Sequence, residues 1–267
     1  MTDHLRVAVA QDVSVPGDLS ANVATAVTLV DRASALGARV VVLPELFLTG
    51  YDPATWAHDA SIALDDERLE PLRGRRDVVV VVGAAVRRAL DASTLSVVVL
   101  AGDEVLAPYD KQHLCGPERA FFTPGDHGAS LDVDGWRLGL GVCYDGCFPE
   151  HARSAAAGGA QAYLLPSAYH AGAEHRRDLY AAARALDNGM YVALAGLTGR
   201  CGTALFTGGS AVYDPEGRPV ERLTDEPGVV VADLRGQVVS QTREAHPMLA
   251  ERLVDLGDRQ QLSLDGA

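Results

Sequence analysis

Three side chains that could do chemistry each stand after a run of residues with the composition of a buried strand. They are Glu45, Lys111 and Cys143. A thiolate is a nucleophile, an ammonium ion stabilises an oxyanion, and a carboxylate moves protons, so together these groups could cleave an acyl bond. Taken one at a time, each also fits a structural interpretation, as a packed cysteine, a surface lysine or a surface loop acid.

The segment around Cys143 predicts a strand, a tight turn and the start of a helix. The apolar run 136–142 ends at Cys143, and Phe148, Pro149 and Glu150 open the helix. Backbone N–H groups in such a turn and a nearby positive helix end favour thiolate over thiol. The sequence therefore predicts a lowered pKa for Cys143.

The segment around Glu45 predicts a buried carboxylate. Pro44 cannot donate a hydrogen bond to a sheet ladder, so it ends the strand and places Glu45 at its tip. The next residues, Leu46, Phe47 and Leu48, are apolar and would cover the side chain. Because burial raises the pKa of a carboxyl group, we expect Glu45 to titrate in the range that a general base requires.

The surrounding pattern predicts a layered α/β protein of one domain. Strands are predicted over residues 5–10, 39–43, 77–82, 94–100, 104–106, 136–142, 162–165, 191–195, 210–220 (two strands and a turn) and 229–232. Helices are predicted between Asp18 and Gly37 and over 65–76, 150–157, 174–188 and 248–256. Strand ends gather at one edge of such sheets, so Glu45, Lys111 and Cys143 are expected together.

The composition excludes several classes of function. A net charge of −13 argues against nucleic-acid and anionic-membrane partners, which need clustered Lys and Arg. The sequence has neither an apolar run of membrane-spanning length nor the pattern of a signal peptide. Four cysteines in 267 residues do not make a disulfide framework. We therefore expect a soluble, cytoplasmic protein with reduced thiols.

Three ordered segments resemble the signature blocks of the nitrilase superfamily of carbon–nitrogen hydrolases. They are residues 43–51 (LPELFLTGY), 109–114 (YDKQHL) and 143–150 (CYDGCFPE). Residues 118–125 (ERAFFTPG) and 184–192 (RALDNGMYV) are similar to two supporting blocks of that family, and the similarity extends from about residue 5 to about residue 234. The resemblance implies a four-layer α-β-β-α sandwich, with a hydrolase domain over residues 1–240 and a tail over 241–267. It also implies homo-oligomers formed through a helical face, with no cofactor and no metal.

The same resemblance implies a role for each site residue. Cys143 would be the nucleophile, Glu45 the general base, and Lys111 an oxyanion donor together with the backbone N–H of Tyr144. Glu118 would position the lysine or the substrate nitrogen. The remaining candidates, which would line the substrate pocket, are Tyr51, Asp145, Ala168, Tyr169 and His170. The expected reaction passes through a cysteine thioester and releases ammonia and a carboxylic acid.

The substrate stays open at this point. The nucleophile is followed by Tyr144 and Asp145, a pattern that resembles the amidases and carbamoyl-amidases rather than the nitrile-cleaving members, which usually carry Trp-Glu. A small linear amide is expected, with an N-carbamoyl amine or a nitrile as alternatives. An acidic substrate would need Arg176, Arg177 or His170, and a diamine-derived one Glu174 or Asp145. The sequence departs from the family pattern at Asp187, Gly196 and Cys147.

A metal site is the alternative from a different class of protein. Cys143, Cys147 and His151 are spaced at i, i+4 and i+8, and His113 with Cys115 could complete a structural zinc site. Against this alternative, no Cys-x-x-Cys pair is present, and Pro149 begins the helix only after both cysteines. A binding scaffold without activity is a further alternative, although no catalytic group is missing.

Overall fold

The computed structural model describes residues 4–90 and 92–263. Its strands are β1 (His4–Gln11), β2 (Val40–Val42), β3 (Arg75–Ala89), β4 (Ala92–Gly102), β5 (Glu104–Asp110), β6 (Ser130–Val133), β7 (Trp136–Leu140), β8 (Ala162–Ser167), β9 (Tyr191–Gly196), β10 (Thr198–Cys201), β11 (Ala204–Thr207), β12 (Ala211–Tyr213), β13 (Pro219–Arg222) and β14 (Gly228–Arg235). Its α-helices are α1 (Leu19–Ala35), α2 (Pro53–Trp56), α3 (Pro149–Ala157), α4 (Glu174–Asn188), α5 (Gly236–Ala245) and α6 (Met248–Glu251). The ends of the predicted domain and tail, residues 1–3 and 264–267, lie outside the described residues.

The described residues form two six-stranded sheets and a two-stranded ladder. The first sheet has the order β14-β1-β2-β3-β4-β5, and the second has the order β13-β12-β9-β8-β7-β6. The central strands β1, β2 and β3 are parallel, as are β7, β8 and β9. Strand β2 consists of three fully buried valines, as expected for a parallel strand that is covered on both faces.

The two sheets pack face to face, with β1 and β2 of the first against β8 and β9 of the second. Helix α1 covers the outer face of the first sheet, and α3 and α4 cover the outer face of the second. The predicted four-layer α-β-β-α sandwich is therefore confirmed. Within the described part of the chain, no helix has the length and apolar composition needed to cross a membrane.

The structure differs from the sequence prediction in several elements. The predicted helix over 65–76 is a 3-10 helix over Glu67–Leu72, because Pro71 has no N–H for an α-helical hydrogen bond. The hairpin of β10 and β11 and the helix α5 were not predicted, since their short or polar sequences depend on tertiary contacts. Helix α6 ends at Glu251, earlier than predicted. Helix α5 runs across residue 240, so that domain boundary stays a prediction.

Helix α4 also buries a different face from the one that its apolar residues suggest. Leu179 and Leu186 are 57% and 48% exposed. The buried side chains include Arg177, Ala181 and Arg184, which lie against the second sheet and its loops. Long basic side chains can pack their stems under a helix. A largely apolar strip of α4 therefore faces outward in the single chain.

Candidate active site

The three predicted reactive side chains lie where the edges of the two sheets meet. Glu45 follows β2 and Lys111 follows β5, and both strands belong to the first sheet. Cys143 follows β7 in the second sheet. Since two antiparallel steps separate β3 from β5, the end of β5 lies at the same edge as the end of β2. The expected convergence of these strand ends is therefore observed.

Lys111 joins two buried carboxylates. Its Nζ lies 2.5 Å from Oε1 of Glu45 and 2.8 Å from each carboxylate oxygen of Glu118. The side chains of Glu45 and Lys111 have no solvent exposure, and that of Glu118 has 1%. Close opposite charges in a site with little water interact strongly, so the three groups form one electrostatic unit.

The pKa values of Glu45 and Lys111 are both raised, for different physical reasons. Burial and the charge of Glu118 raise the pKa of Glu45, Lys111 opposes both effects, and the resulting pKa is about 7. Burial would lower the pKa of Lys111, but the charges of Glu45 and Glu118 outweigh it, so the pKa of Lys111 is raised. The predicted raised pKa of Glu45 is thus supported, and Lys111 keeps its charge.

Cys143 lies close to the Glu45 carboxylate. Oε2 of Glu45 is buried and forms no hydrogen bond of ordinary geometry with the described residues. The thiol is nonetheless near enough to lower the pKa of Glu45 as a weak donor. The backbone N–H of Ala168, just after β8, in turn donates toward the sulfur. This arrangement gives the thiol proton a nearby acceptor.

The prediction of a lowered pKa for Cys143 is wrong. Burial raises the pKa of this thiol well above its ordinary value, and the negative charge of Glu45 adds to the effect. Lys111 and the N–H of Ala168 offset only part of it. Cys143 begins a 3-10 turn over Cys143–Cys147, and α3 starts only at Pro149. Cys143 therefore rests as a thiol and not as a thiolate.

The backbone at two site residues is held in an unusual conformation. Cys143 has φ +45° and Leu46, next to Glu45, has φ +50°. Residues other than glycine seldom adopt such angles, and they cluster at functional sites. A Cβ atom on Gly83 of β3 would lie 2.4 Å from N of Leu46 and 2.6 Å from Cα of Glu45. A glycine at position 83 therefore makes room for the turn that carries Glu45.

The predicted pocket residues have different surroundings. The hydroxyl of Tyr51 donates to Oε1 of Glu118 over 2.6 Å, and the ring of Tyr51 contacts those of His170 and Phe206. The hydroxyl of Tyr169 lies 3.9 Å from Sγ of Cys147. These residues surround the cluster with aromatic rings, and Tyr51 also holds Glu118 in place.

The side chain of Asp145 is enclosed within the 3-10 turn over Cys143–Cys147, the predicted nucleophile turn. Its carboxylate has no solvent exposure and accepts hydrogen bonds from Val142, Tyr109 and His113. This carboxylate is therefore engaged in joining segments of the chain. Sequence reasoning did not anticipate these contacts, because they depend on which segments the fold brings together.

The charged residues considered for substrate recognition form hydrogen bonds with other parts of the chain. Arg177 is buried and donates to Oγ1 of Thr207 and to the carbonyl of Gly208. Arg176 donates to the hydroxyl of Tyr180, and its charge lowers the pKa of Cys147 in part against burial. The carboxylate of Glu174 accepts from the backbone N–H of Gly172.

The zinc alternative has no support in the geometry. Residues 4–90 and 92–263 contain no group of three or more His, Cys, Asp or Glu side chains arranged to hold a metal ion. Both ring nitrogens of His151 are hydrogen-bonded to tyrosine hydroxyls, those of Tyr109 and Tyr163, at 2.8 Å each. His151 therefore has no nitrogen available for a shared site with Cys143 and Cys147.

The chain was compared with known protein families and structures. Residues 6–244 match the carbon–nitrogen hydrolase family. A hydrolase from Pseudomonas protegens, described by its position in the pqqF 5' region, is 30% identical over 232 residues, which are 84% of this chain and 81% of that protein. The 2-oxoglutaramate amidase of Bacillus subtilis is 29% identical over 249 residues, which are 90% of this chain and 94% of that enzyme.

Solved structures lead to the same group of proteins. A double mutant of the amidase from Nesterenkonia sp. AN1 in complex with acrylamide superposes with a TM-score of 0.83 at 34% identity, covering 94% of each chain. A mutant of the same amidase in complex with butyramide has a TM-score of 0.81 at 35% identity and covers 92% of this chain and 97% of that one. The chain therefore belongs to the carbon–nitrogen hydrolase family and, within the nitrilase superfamily, to the amidases that cleave C–N bonds other than peptide bonds.

Proposed function

We propose that this amidase hydrolyses a small, linear, uncharged amide through a thioester on Cys143. The observation that carries the proposal is the buried contact of Lys111 with Glu45 and Glu118, beside the Cys143 thiol. Burying three charged groups together is costly, so such a cluster favours a catalytic over a structural role.

The geometry supports the following sequence of proton transfers. Oε2 of Glu45 takes the thiol proton, and the sulfur of Cys143 attacks the amide carbonyl carbon. The resulting oxyanion accepts hydrogen bonds from the Lys111 ammonium and the backbone N–H of Tyr144. Glu45 then gives its proton to the leaving nitrogen, so ammonia departs and a thioester remains. Glu45 next activates water, which releases the carboxylic acid and restores the thiol.

Lys111 suits the oxyanion role because one of its two partners, Glu45, loses its charge during the reaction. In the resting site its ammonium is shared between two carboxylates. Once Glu45 holds the thiol proton, that carboxyl is neutral and attracts the ammonium less strongly. Glu118, held by Tyr51 and by the backbone N–H of Cys115 at 2.8 Å, keeps the lysine in place. The ammonium can then turn toward the oxyanion.

The charge of the cluster favours an uncharged substrate. With Glu45 and Glu118 ionised, the two carboxylates outnumber the single ammonium of Lys111. A carboxylate on the substrate would be repelled by this excess of negative charge unless another cation paired with it. Two structures of the Nesterenkonia amidase hold the uncharged amides acrylamide and butyramide. Short aliphatic amides are therefore the first class to test.

An ω-amide, with a carboxylate at its far end, is the second candidate. Arg176 supports it, because the charge of this exposed side chain reaches the thiol of Cys147 in the nucleophile turn. The 2-oxoglutaramate amidase of Bacillus subtilis, 29% identical, is named for such a substrate. Arg176→Ala would selectively impair the hydrolysis of ω-amides if this candidate is correct.

Ammonia release tests the proposed function directly. The panel contains butyramide, acrylamide, an ω-amide, an N-carbamoyl amine and a nitrile. We expect release from the uncharged amides by the wild type and none from Cys143→Ala. Cys201→Ala, which removes a different buried cysteine, is the matched control and should keep its activity. Undiminished turnover by Cys143→Ala would refute the mechanism, and release from another class alone would reassign the substrate.

We also propose that the chain forms homo-oligomers through α4 and the neighbouring C-terminal helix. Leu179 and Leu186 of α4 and Met248 of α6 are exposed large apolar residues, and α4 contacts α6. Burying such a strip against a second copy would remove apolar surface from water. Light scattering of the wild type and of Leu179→Asp tests the proposal, with a smaller species expected for the variant. The cytoplasmic location stays a prediction.

A further inference from the structure

The carboxylate of Asp145 connects the segment that carries Lys111 with the turn that carries Cys143. Oδ2 accepts from the backbone N–H of Val142 at 3.0 Å and from the hydroxyl of Tyr109 at 2.7 Å. Oδ1 accepts from the backbone N–H of His113 at 2.9 Å and lies 2.8 Å from Nδ1 of the same residue. Tyr109 and His113 are the residues two before and two after Lys111.

The same carboxylate also shapes the nucleophile turn from within. Val142 directly precedes Cys143, and Asp145 is the second residue after it. The backbone N–H of Asp145 donates to the carbonyl of Val142 at 2.9 Å, which closes the 3-10 turn. One buried side chain therefore ties both sides of Lys111 to both sides of Cys143.

We propose that Asp145 is a positioning residue that sets the distance between the Lys111 ammonium and the oxyanion formed at Cys143. This inference rests on the proposed function, because it assigns Lys111 and the N–H of Tyr144 to the oxyanion. Tyr144 lies between Cys143 and Asp145, so the hydrogen bonds of Asp145 orient that N–H as well. Asp145 itself does not touch the reacting atoms.

Position 145 requires a side chain in which both terminal atoms accept hydrogen bonds. Each oxygen of Asp145 faces a backbone N–H, that of Val142 on one side and that of His113 on the other. An asparagine side chain would present its NH₂ group to one of these two donors, whichever way the amide was turned. Asp145→Asn therefore keeps the size of the side chain and breaks one of the two connections.

Asp145 accepts the last of three hydrogen bonds that run from Tyr163 through His151 and Tyr109, each donated toward Asp145. Because the Tyr109 hydroxyl gives its hydrogen to Asp145, it must accept from Nε2–H of His151. Nδ1 of a neutral His151 is then an acceptor, so Tyr163 donates to it. This chain of hydrogen bonds anchors the nucleophile turn to α3 and β8, which makes Asp145 part of a rigid support.

The test compares Asp145→Asn with the wild type in kcat, in KM and in binding. Butyramide binding is measured by calorimetry in the Cys143→Ala background, with and without Asp145→Asn. A displacement of about 1 Å in such a site lowers the rate about 100-fold, so we expect that loss in kcat with binding changed less than about threefold. Asp178→Asn is the control, because its carboxylate bonds Arg177 and Arg222 away from both segments. The control should retain its kcat.

A second variant covers the case in which Asp145→Asn fails to fold. His113→Phe keeps an aromatic ring that can stack on Phe148 and removes both ring nitrogens, including the Nδ1 that contacts Asp145, and we expect about a tenfold loss in kcat. A kcat within threefold of wild type in a folded variant, or equal losses in kcat and binding, would overturn the proposal. If the wild type releases no ammonia from any amide, the proposed function fails. In that case the rate at which iodoacetamide alkylates Cys143 tests the positioning role. The role requires slower alkylation in Asp145→Asn than in the wild type.

Discussion

Nζ of Lys111 and Oε1 of Glu45 are 2.5 Å apart, and both side chains are completely buried. The chain contains no other lysine, although it contains many arginines. A compact ammonium with three donors can serve Glu45 and Glu118 together, whereas the planar guanidinium of arginine has a fixed fork geometry. The proton acceptor and the oxyanion donor of the proposed reaction are therefore one ion pair, and its charge state controls both.

The pH dependence of turnover should report the Glu45 carboxyl. Its pKa is raised to about 7 by burial, and the proposed reaction requires its ionised form. We expect kcat/KM for butyramide to fall as the pH drops below about 7, approaching tenfold per unit. Glu118→Gln removes a charge that raises this pKa, so the acid limb should move to lower pH. A profile that stays flat down to pH 5 in the wild type would contradict the assignment of Glu45 as the base.

Replacing the only lysine should destabilise the fold in a pH-dependent manner. Lys111→Met leaves two buried carboxylates without a cation, which should lower the free energy of unfolding by about 3–5 kcal/mol near pH 8. Lys111 lowers the pKa of Glu45, so without the cation that folded-state pKa rises still further above its unfolded value. Protonation of Glu45 then favours the folded state more strongly, so the loss should be smaller at pH 5. Urea unfolding at both pH values measures the difference.

An exposed ion pair provides the comparison for that variant. Arg6 pairs with Asp233 at 2.7 Å, with side chains 43% and 36% exposed. Arg6→Met should lower the stability far less than Lys111→Met does, because solvent screens the pair. Equal effects of the two substitutions, or a Lys111→Met loss that does not change with pH, would show that Lys111 carries no special electrostatic role.

Gly83 should be indispensable for the position of Glu45. Its Cβ in Gly83→Ala would lie within 2.7 Å of three backbone atoms of Pro44, Glu45 and Leu46, and backbone cannot move aside as a flexible side chain can. We expect a stability loss of about 1–3 kcal/mol, as for other overpacked sites, together with a fall in kcat. Gly128→Ala, where no atom lies within 4 Å of the new methyl group, should change neither quantity. Thermal unfolding and ammonia release measure both, and a fully active Gly83→Ala would count against this packing argument.

His151 should stay neutral at a pH at which an exposed histidine is protonated. Burial lowers the pKa of His151, whereas the neighbouring Asp126 raises that of exposed His127. A histidine that stays neutral in the fold contributes stability above the unfolded pKa, and that stability is lost as the pH falls below it. Nitrogen-15 NMR of the side chains should show a neutral His151 with hydrogen on Nε2 at a pH where His127 is charged. Hydrogen on Nδ1 instead would refute the direction assigned to the chain of hydrogen bonds.

Local sequence patterns were sufficient to predict the strands that precede Glu45, Lys111 and Cys143. The continuous apolar run of β2 predicted a strand buried on both faces, and Pro44 predicted where it ends, because these effects act within a few residues. The same local reasoning placed Glu45 next to apolar side chains and predicted its raised pKa. The family resemblance then supplied the four-layer arrangement, which periodicity alone does not specify.

Tertiary structure decided the properties that depend on distant segments. The sequence suggested an acidic Cys143 from its turn, but the actual burial of the thiol and the charge of Glu45, 98 positions away in the chain, raise its pKa instead. Asp145 looked like a pocket residue until the fold placed Tyr109 and His113 around its carboxylate. The sequence by itself therefore determined which groups are present and where strands end. Only the folded chain determined their charge states and partners, because desolvation and Coulomb forces depend on distance in space and not on distance along the chain.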